Sequence, residues 1–132
     1  EIHHQALRTA LLDAGAAPEA QIRALVRAHV ATHAVHPQLA VLVNEELFTL
    51  PAELAAPALA LRNQSAALLM EVIVRGVSRK RFSCRDARVT AAAISAMGLR
   101  IPYWYRSEDG PELDTLAELH AELALRMLGS SE

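Results

Sequence analysis

Apolar residues recur every three or four positions along almost the whole chain, in stretches that proline and glycine punctuate. That period is the mark of helices with one buried face, and it leaves little of the strict alternation that a half-buried strand requires. Composition agrees: alanine and leucine dominate, 4% of residues are aromatic and five are glycine, a balance suited to helices packed through small side chains. The expected fold class is all-α. A chain of 132 residues, 52% hydrophobic, can bury one compact core, so residues 1–132 are read as a single domain.

About six helical stretches are predicted. The first covers Ile2 to Ala14 and stops at Gly15; the second opens at Pro18, a good first-turn residue, and runs to about His36, where Pro37 interrupts. The third, Pro37 to Leu47, carries Leu39, Leu42, Val43 and Leu47 with Glu46 inside the same stripe, which makes that acid unusual. Pro51 and Pro57 are read as breaks, after which Ala58 to Arg79 forms the longest helix, with Leu61, Leu68, Leu69, Val72 and Ile73 buried. Asp86 suits an N-cap for a fifth helix rich in alanine, in which Pro102 predicts a kink or an early end. Ser107 to Gly110 is turn chemistry, and Pro111 to Leu128 forms the last helix.

Charge and cysteine content narrow the function. Thirteen Lys+Arg against fifteen Asp+Glu give a formal charge of -2, so the chain lacks the positive excess that phosphate backbones demand, and DNA contact by this piece alone is not expected. Its one cysteine, Cys84, excludes an internal disulfide and fits a reducing compartment, with cytoplasm the default. No apolar run is long enough to cross a bilayer, and Glu1-Ile2-His3-His4 has neither a cationic nor an apolar signal region. The chain opens directly on a helical pattern without a cap, as one cut within a helix would.

The C-terminal half is more specific. Arg75-Gly76-Val77-Ser78-Arg79-Lys80-Arg81-Phe82, Asp86-Ala87-Arg88, Met97-Gly98, Tyr103-Trp104-Tyr105-Arg106 and Leu123-Ala124-Leu125-Arg126-Met127-Leu128-Gly129, in that order and spacing, closely resemble the C-terminal domain of TetR-family transcriptional regulators. His36-Pro37-Gln38-Leu39, Glu45-Glu46 and Leu50-Pro51 extend the resemblance over most of the chain, while the family's amino-terminal helix-turn-helix is absent. Members often carry a second glycine where this chain has Lys80, which puts the loop conformation there in question.

The resemblance implies a homodimer in which the last two helices of each subunit form a four-helix bundle, with Ala92, Ala96, Leu116, Leu119, Leu123 and Met127 at the interface. The alternative is that these residues face only the monomer core. It also implies an effector cavity among the middle helices, for which Arg62, Leu69, Ile73, Met97, Arg100 and Trp104 are the candidate lining residues. Arg100 and Trp104, four apart, would offer a cation and an aromatic wall to a greasy anion; otherwise Trp104 is a core or interface aromatic and Arg100 pairs with a surface acid. Arg62 would reach a ligand head or pair with Glu46.

The branch resembled most responds to acyl-CoA thioesters, which would need an apolar tunnel and cations such as Arg79, Lys80, Arg81 or Arg100 at its mouth. The expected function is therefore a repressor domain that senses a small hydrophobic effector and reaches DNA only through its missing N-terminal domain. No cofactor or membrane contact is expected. A ligand-free dimerisation scaffold is the alternative.

A third reading starts from His29, His33 and His36, whose spacings of four and three can gather imidazoles around a metal. No acid joins them at ligand spacing and Pro37 breaks the helix beside His36, so solvated or pocket-lining histidines are the default and no metal ligand is assigned. An enzyme would need a phosphate loop, a nucleophile elbow or a catalytic metal motif; none is present, and Cys84 has no evident base beside it, so no catalytic residue is assigned.

Overall fold

The computed structural model describes residues 1–130, among which there are six helices and no strand. They are α1 (Ile2–Asp13), α2 (Pro18–Val35), α3 (Pro37–Glu46), α4 (Ala52–Ser78), α5 (Ala87–Trp104) and α6 (Leu113–Met127). α2 is the hub, packed against α1, α4, α5 and most extensively α6, while α5 and α6 touch each other only sparingly. Its fully covered Ile22 and Val30 meet Val72 and Ile73 of α4, Ile101 of α5 and Ala121 and Ala124 of α6 in one core. No helix among the described residues is long and apolar enough to cross a membrane.

The helix ends follow local chemistry. Gly15 takes φ +84° after α1, a conformation that side chains disfavour. Pro37 serves as stop and start at once, closing α2 at His36 and opening α3 in its first turn. Asp86 caps α5, its carboxylate accepting the Val89 amide at 3.0 Å. At the end of α4 the Lys80 amide bonds the Val77 carbonyl at 3.0 Å and the Arg81 amide bonds Gly76 at 2.8 Å, the paired bonds of a Schellman cap. The cap requires a left-handed residue, and Lys80 supplies it at φ 61°.

One proline expected to break a helix does not. Pro57 lies inside α4, which begins at Ala52 and runs for 27 residues. Only the bond to the Glu53 carbonyl is lost there, and the helix resumes because its later turns are anchored by Leu69, Val72 and Ile73. Pro102, where a kink or an early end is expected, sits buried in the last turn of α5, and the helix ends two residues later at Trp104. α6 starts later than its sequence suggests, at Leu113, after the turn at 107–110.

Glu46 is exposed rather than buried, and α3 has no buried residue at all. The carboxylate of Glu46 therefore faces water, and Arg62 bonds instead to Asn44 Oδ1, two residues earlier on α3. The buried acid is elsewhere: Glu19, 3% exposed, lies in the first turn of α2 and pairs with Arg81 of the loop after α4. That pair, with Arg27 on Glu118 at 2.6 Å, fixes α2 against the α4–α5 loop and α6.

Candidate functional site

α1, α2, α3, α4 and α5 surround a cavity of about 710 Å³, within the range of about 300–1,000 Å³ typical of small-molecule sites. Leu7, Leu25, Val26, Leu61, Leu69, Ile94 and Leu99 give it apolar walls. α3 covers one side with Leu39, Ala40 and Val43. Leu39 and Val43 are 52% and 47% exposed because they border this hollow instead of packed neighbours.

The polar groups are few and grouped. His29 and His33 share one face of α2, and His3 of α1 meets them, with ring centroids 4.6 to 5.1 Å apart. His29 Nε2 donates to the Ser95 carbonyl at 2.9 Å, His33 Nδ1 donates to the His29 carbonyl at 2.7 Å, and His3 Nε2 lies 2.8 Å from His29 Nδ1. Gly98 makes room for this: a Cβ there would stand 2.1 Å from His29 Cδ2. Arg62, held by Asn44, and His4, bonded to Ser65 Oγ at 2.8 Å, join the polar lining with Thr32, His36 and one acid, Glu1.

Burial sets the charge state of the cluster. Desolvation, followed by the neighbouring His33, pushes His29 from 6.5 down to about 3, although its bond to Ser95 works the other way. Desolvation and then His33 bring His3 down to about 4. His33 is lowered chiefly by burial, with Arg62 adding to it. All three rings are neutral near pH 7, so the cavity offers nitrogen lone pairs and N–H donors beside one cation, Arg62.

The expected ligand set divides. Arg62 and Leu69 line the cavity. Ile73 is fully buried in the core beneath it, and Met97 packs on that core. Arg100 stacks 4.4 Å over the Tyr103 ring on the outside of α5, and Trp104 is 55% exposed. The cause is helical phase: Ile94, Ser95 and Leu99 take the inward face of α5, which leaves Arg100 and Trp104, a turn apart, on another. His3 was missed because it stands 26 positions from His29 and periodicity within one helix carries no trace of it. His36, at the end of α2, reaches the cavity but not the cluster.

The expected dimer residues divide similarly. Leu119, Leu123 and Met127 of α6 are 46%, 44% and 37% exposed, and Ala92 and Ala96 are exposed on α5. Leu116 is buried in its own subunit at 3% exposure, since it lies on the face of α6 that meets α2.

Helices enclosing an apolar hollow with a few aimed polar groups define a ligand-sensing helical domain rather than a solid bundle. The comparisons give the family: residues 15–128 match the Tetracyclin repressor-like, C-terminal domain. The chain belongs to that family and is the C-terminal domain of a TetR-type transcriptional regulator. A bacterial regulatory protein in the tetR family from Rhodococcus RHA1 superposes with TM-score 0.87 and 26% identity, over 98% of this chain and 70% of that one. The TetR family regulator PfmR from Thermus thermophilus gives 0.79 and 25%, over 96% and 70%. AibR, solved with isovaleryl coenzyme A and operator DNA, shares the fold at 0.80 with 17% identity, over 96% and 67%. No curated sequence relative matches.

Proposed function

We propose that this domain senses a small hydrophobic effector in the cavity and joins two copies of the regulator through α5 and α6. The observation that carries the reading is the hollow itself. Apolar surface left against water is unfavourable, so an open hollow of about 710 Å³ walled by leucines, valines and isoleucine favours a greasy occupant. The polar group of His3, His29, His33 and Arg62 suits the carbonyl or carboxyl head of a molecule whose greasy part lies against Leu25, Leu61 and Leu69.

An acyl-CoA thioester is the effector class put to the test. Support comes from AibR, a regulator of the same fold that holds isovaleryl coenzyme A. The acyl part would enter the cavity with its carbonyl at the polar group, while the nucleotide stays outside. Arg79, Lys80 and Arg81 follow the end of α4 and do not line the cavity, whereas Arg62 does, so Arg62 is the cation within reach. Effector binding would shift the population of dimer geometries, and operator contact would belong to the DNA-binding domain of the full regulator. The domain acts as a cytoplasmic regulator without catalytic activity.

Thermal unfolding with isovaleryl-CoA, longer acyl-CoAs, free fatty acids and CoA tests this. A true effector at a hundred times its Kd adds about 2.7 kcal/mol, and Ala66→Phe, which fills the cavity, abolishes the gain. Failure of every thioester and fatty acid to stabilise the protein would refute the effector reading.

A further inference from the structure

We propose that His3, His29 and His33 form a binding site for a zinc-class divalent transition-metal ion, with its open coordination position facing the cavity. One nitrogen of each residue lies within 4.8 Å of the others. Zinc binds imidazole nitrogen at about 2.0–2.1 Å, so three tetrahedral ligands stand about 3.3 Å apart. The His3 and His29 nitrogens are at 2.8 Å and all three lie within 4.8 Å, so gathering them around one ion needs only small side-chain adjustments, chiefly of His3.

The hydrogen bonds already orient the ligand atoms. A backbone carbonyl only accepts, so His29 carries its proton on Nε2, toward Ser95, and His33 carries its proton on Nδ1, toward the His29 carbonyl. The lone pairs therefore lie on His29 Nδ1 and His33 Nε2. An N–H given to a backbone carbonyl is the outer-shell arrangement that fixes tautomer and direction in metal-bound histidines, and two of the three ligands have it before any ion arrives. His3 Nε2 faces His29 Nδ1; on binding, its proton passes to Nδ1 and Nε2 joins the site.

Charge adds selectivity. The rings need no deprotonation near neutral pH, since burial keeps them neutral. Three imidazoles without a carboxylate or thiolate suit zinc, copper, nickel or cobalt rather than magnesium or calcium. The bound ion keeps its full double charge, which favours an anionic or carbonyl oxygen as fourth ligand. Because His3 belongs to α1 and the other two to α2, the ion would also clamp these helices together. The site stands apart from the effector reading, and its test uses no organic ligand.

The experiment uses tag-free protein stripped with EDTA and titrated with Co²⁺, then Zn²⁺. The expected result is one equivalent of Co²⁺ per chain, visible as the intense d–d absorption of a low-coordinate site and displaced by Zn²⁺. His3→Ala and His33→Ala each weaken binding at least about tenfold, while His36→Ala, outside the cluster, binds like the parent. Circular dichroism reports folding, and should a variant at buried His33 unfold, His3→Ala on the first turn of α1 decides alone. Absence of stoichiometric Co²⁺ uptake, unchanged binding by His3→Ala, or equal loss in His36→Ala would overturn the proposal. Acyl-CoA stabilisation of the stripped protein would be a separate outcome and leaves the two readings distinguishable.

Discussion

Mild acid should destabilise this domain through its histidine cluster well above the range where carboxylates protonate. In the folded chain His29 titrates at about 3 and His3 at about 4, both down from 6.5. Below pH 6.5 the unfolded chain binds protons that the folded chain refuses. The stability contributed by the neutral rings is thus complete above 6.5 and is lost as pH falls toward 4 and then 3. Each ring that titrates only when unfolded costs about 1.4 kcal/mol per pH unit, so His29 alone removes about 2 kcal/mol between pH 7 and pH 5.

His3 adds a smaller amount, because its partial contact with solvent screens the penalty. The groups facing His29 are His3 from α1, His33 from its own helix, the Ser95 carbonyl from α5 and His120 from α6, with Arg62 of α4 acting on His3 and His33. Urea unfolding in EDTA at half-unit pH steps measures the effect, since the slope of free energy against pH counts the protons taken up. A fall of about 2–3 kcal/mol from pH 7 to pH 5 is expected, equivalent to about 6–10 °C in Tm for a domain of this size. In His29→Gln the slope should decrease by about one proton. A flat profile, or an unchanged slope in that variant, would refute the account of a desolvated neutral cluster.

Two further substitutions probe backbone geometry. Lys80→Gly relieves the left-handed strain at φ 61° and should raise stability by about 0.5–1 kcal/mol in urea, the unfolded-state entropy of glycine offsetting part of the gain; a loss would show that the cap does not hold Lys80 in that conformation. Gly98→Ala places a Cβ 2.1 Å from His29 Cδ2, pushing the ring off the Ser95 carbonyl. It should cost about 1–3 kcal/mol, and an unaltered melting curve would contradict the packing of His29 on α5.

Local signals carried most of the fold. Gly15, Pro18, Pro37 and Asp86 act where their backbone chemistry predicts, because a cap or a fixed φ involves only neighbours in sequence. Pro57 was misleading for the opposite reason: its cost is local, but the packing that outweighs it comes from residues several turns away, such as Leu69 and Ile73. The site was legible only within one helix. His29 and His33 share a face by spacing, whereas His3 and the Ser95 carbonyl reach them from other helices, and the choice between Glu46 and Asn44 as partner of Arg62 depends on the rotation of α3.

The chain contains more apolar surface than one subunit hides, and sequence reasoning assigned that excess to a dimer interface. The structure gives it two destinations. Leu39 and Val43 of α3 border the cavity, while Leu119 and Leu123 of α6 stand on the outer surface away from it. If these are an effector wall and a subunit interface, the two properties must separate on mutation. Leu39→Ser removes apolar wall that an effector would cover at about 25 cal/mol per Å², so it should weaken ligand-induced stabilisation several-fold and leave the sedimenting species a dimer. Leu119→Glu with Leu123→Glu brings four carboxylates together across a two-fold axis, which should shift the protein to monomer at micromolar concentration while its α-helical signal persists. Loss of dimerisation in Leu39→Ser, or a stable dimer in the double glutamate variant, would show that the excess is not divided between hollow and interface in this way.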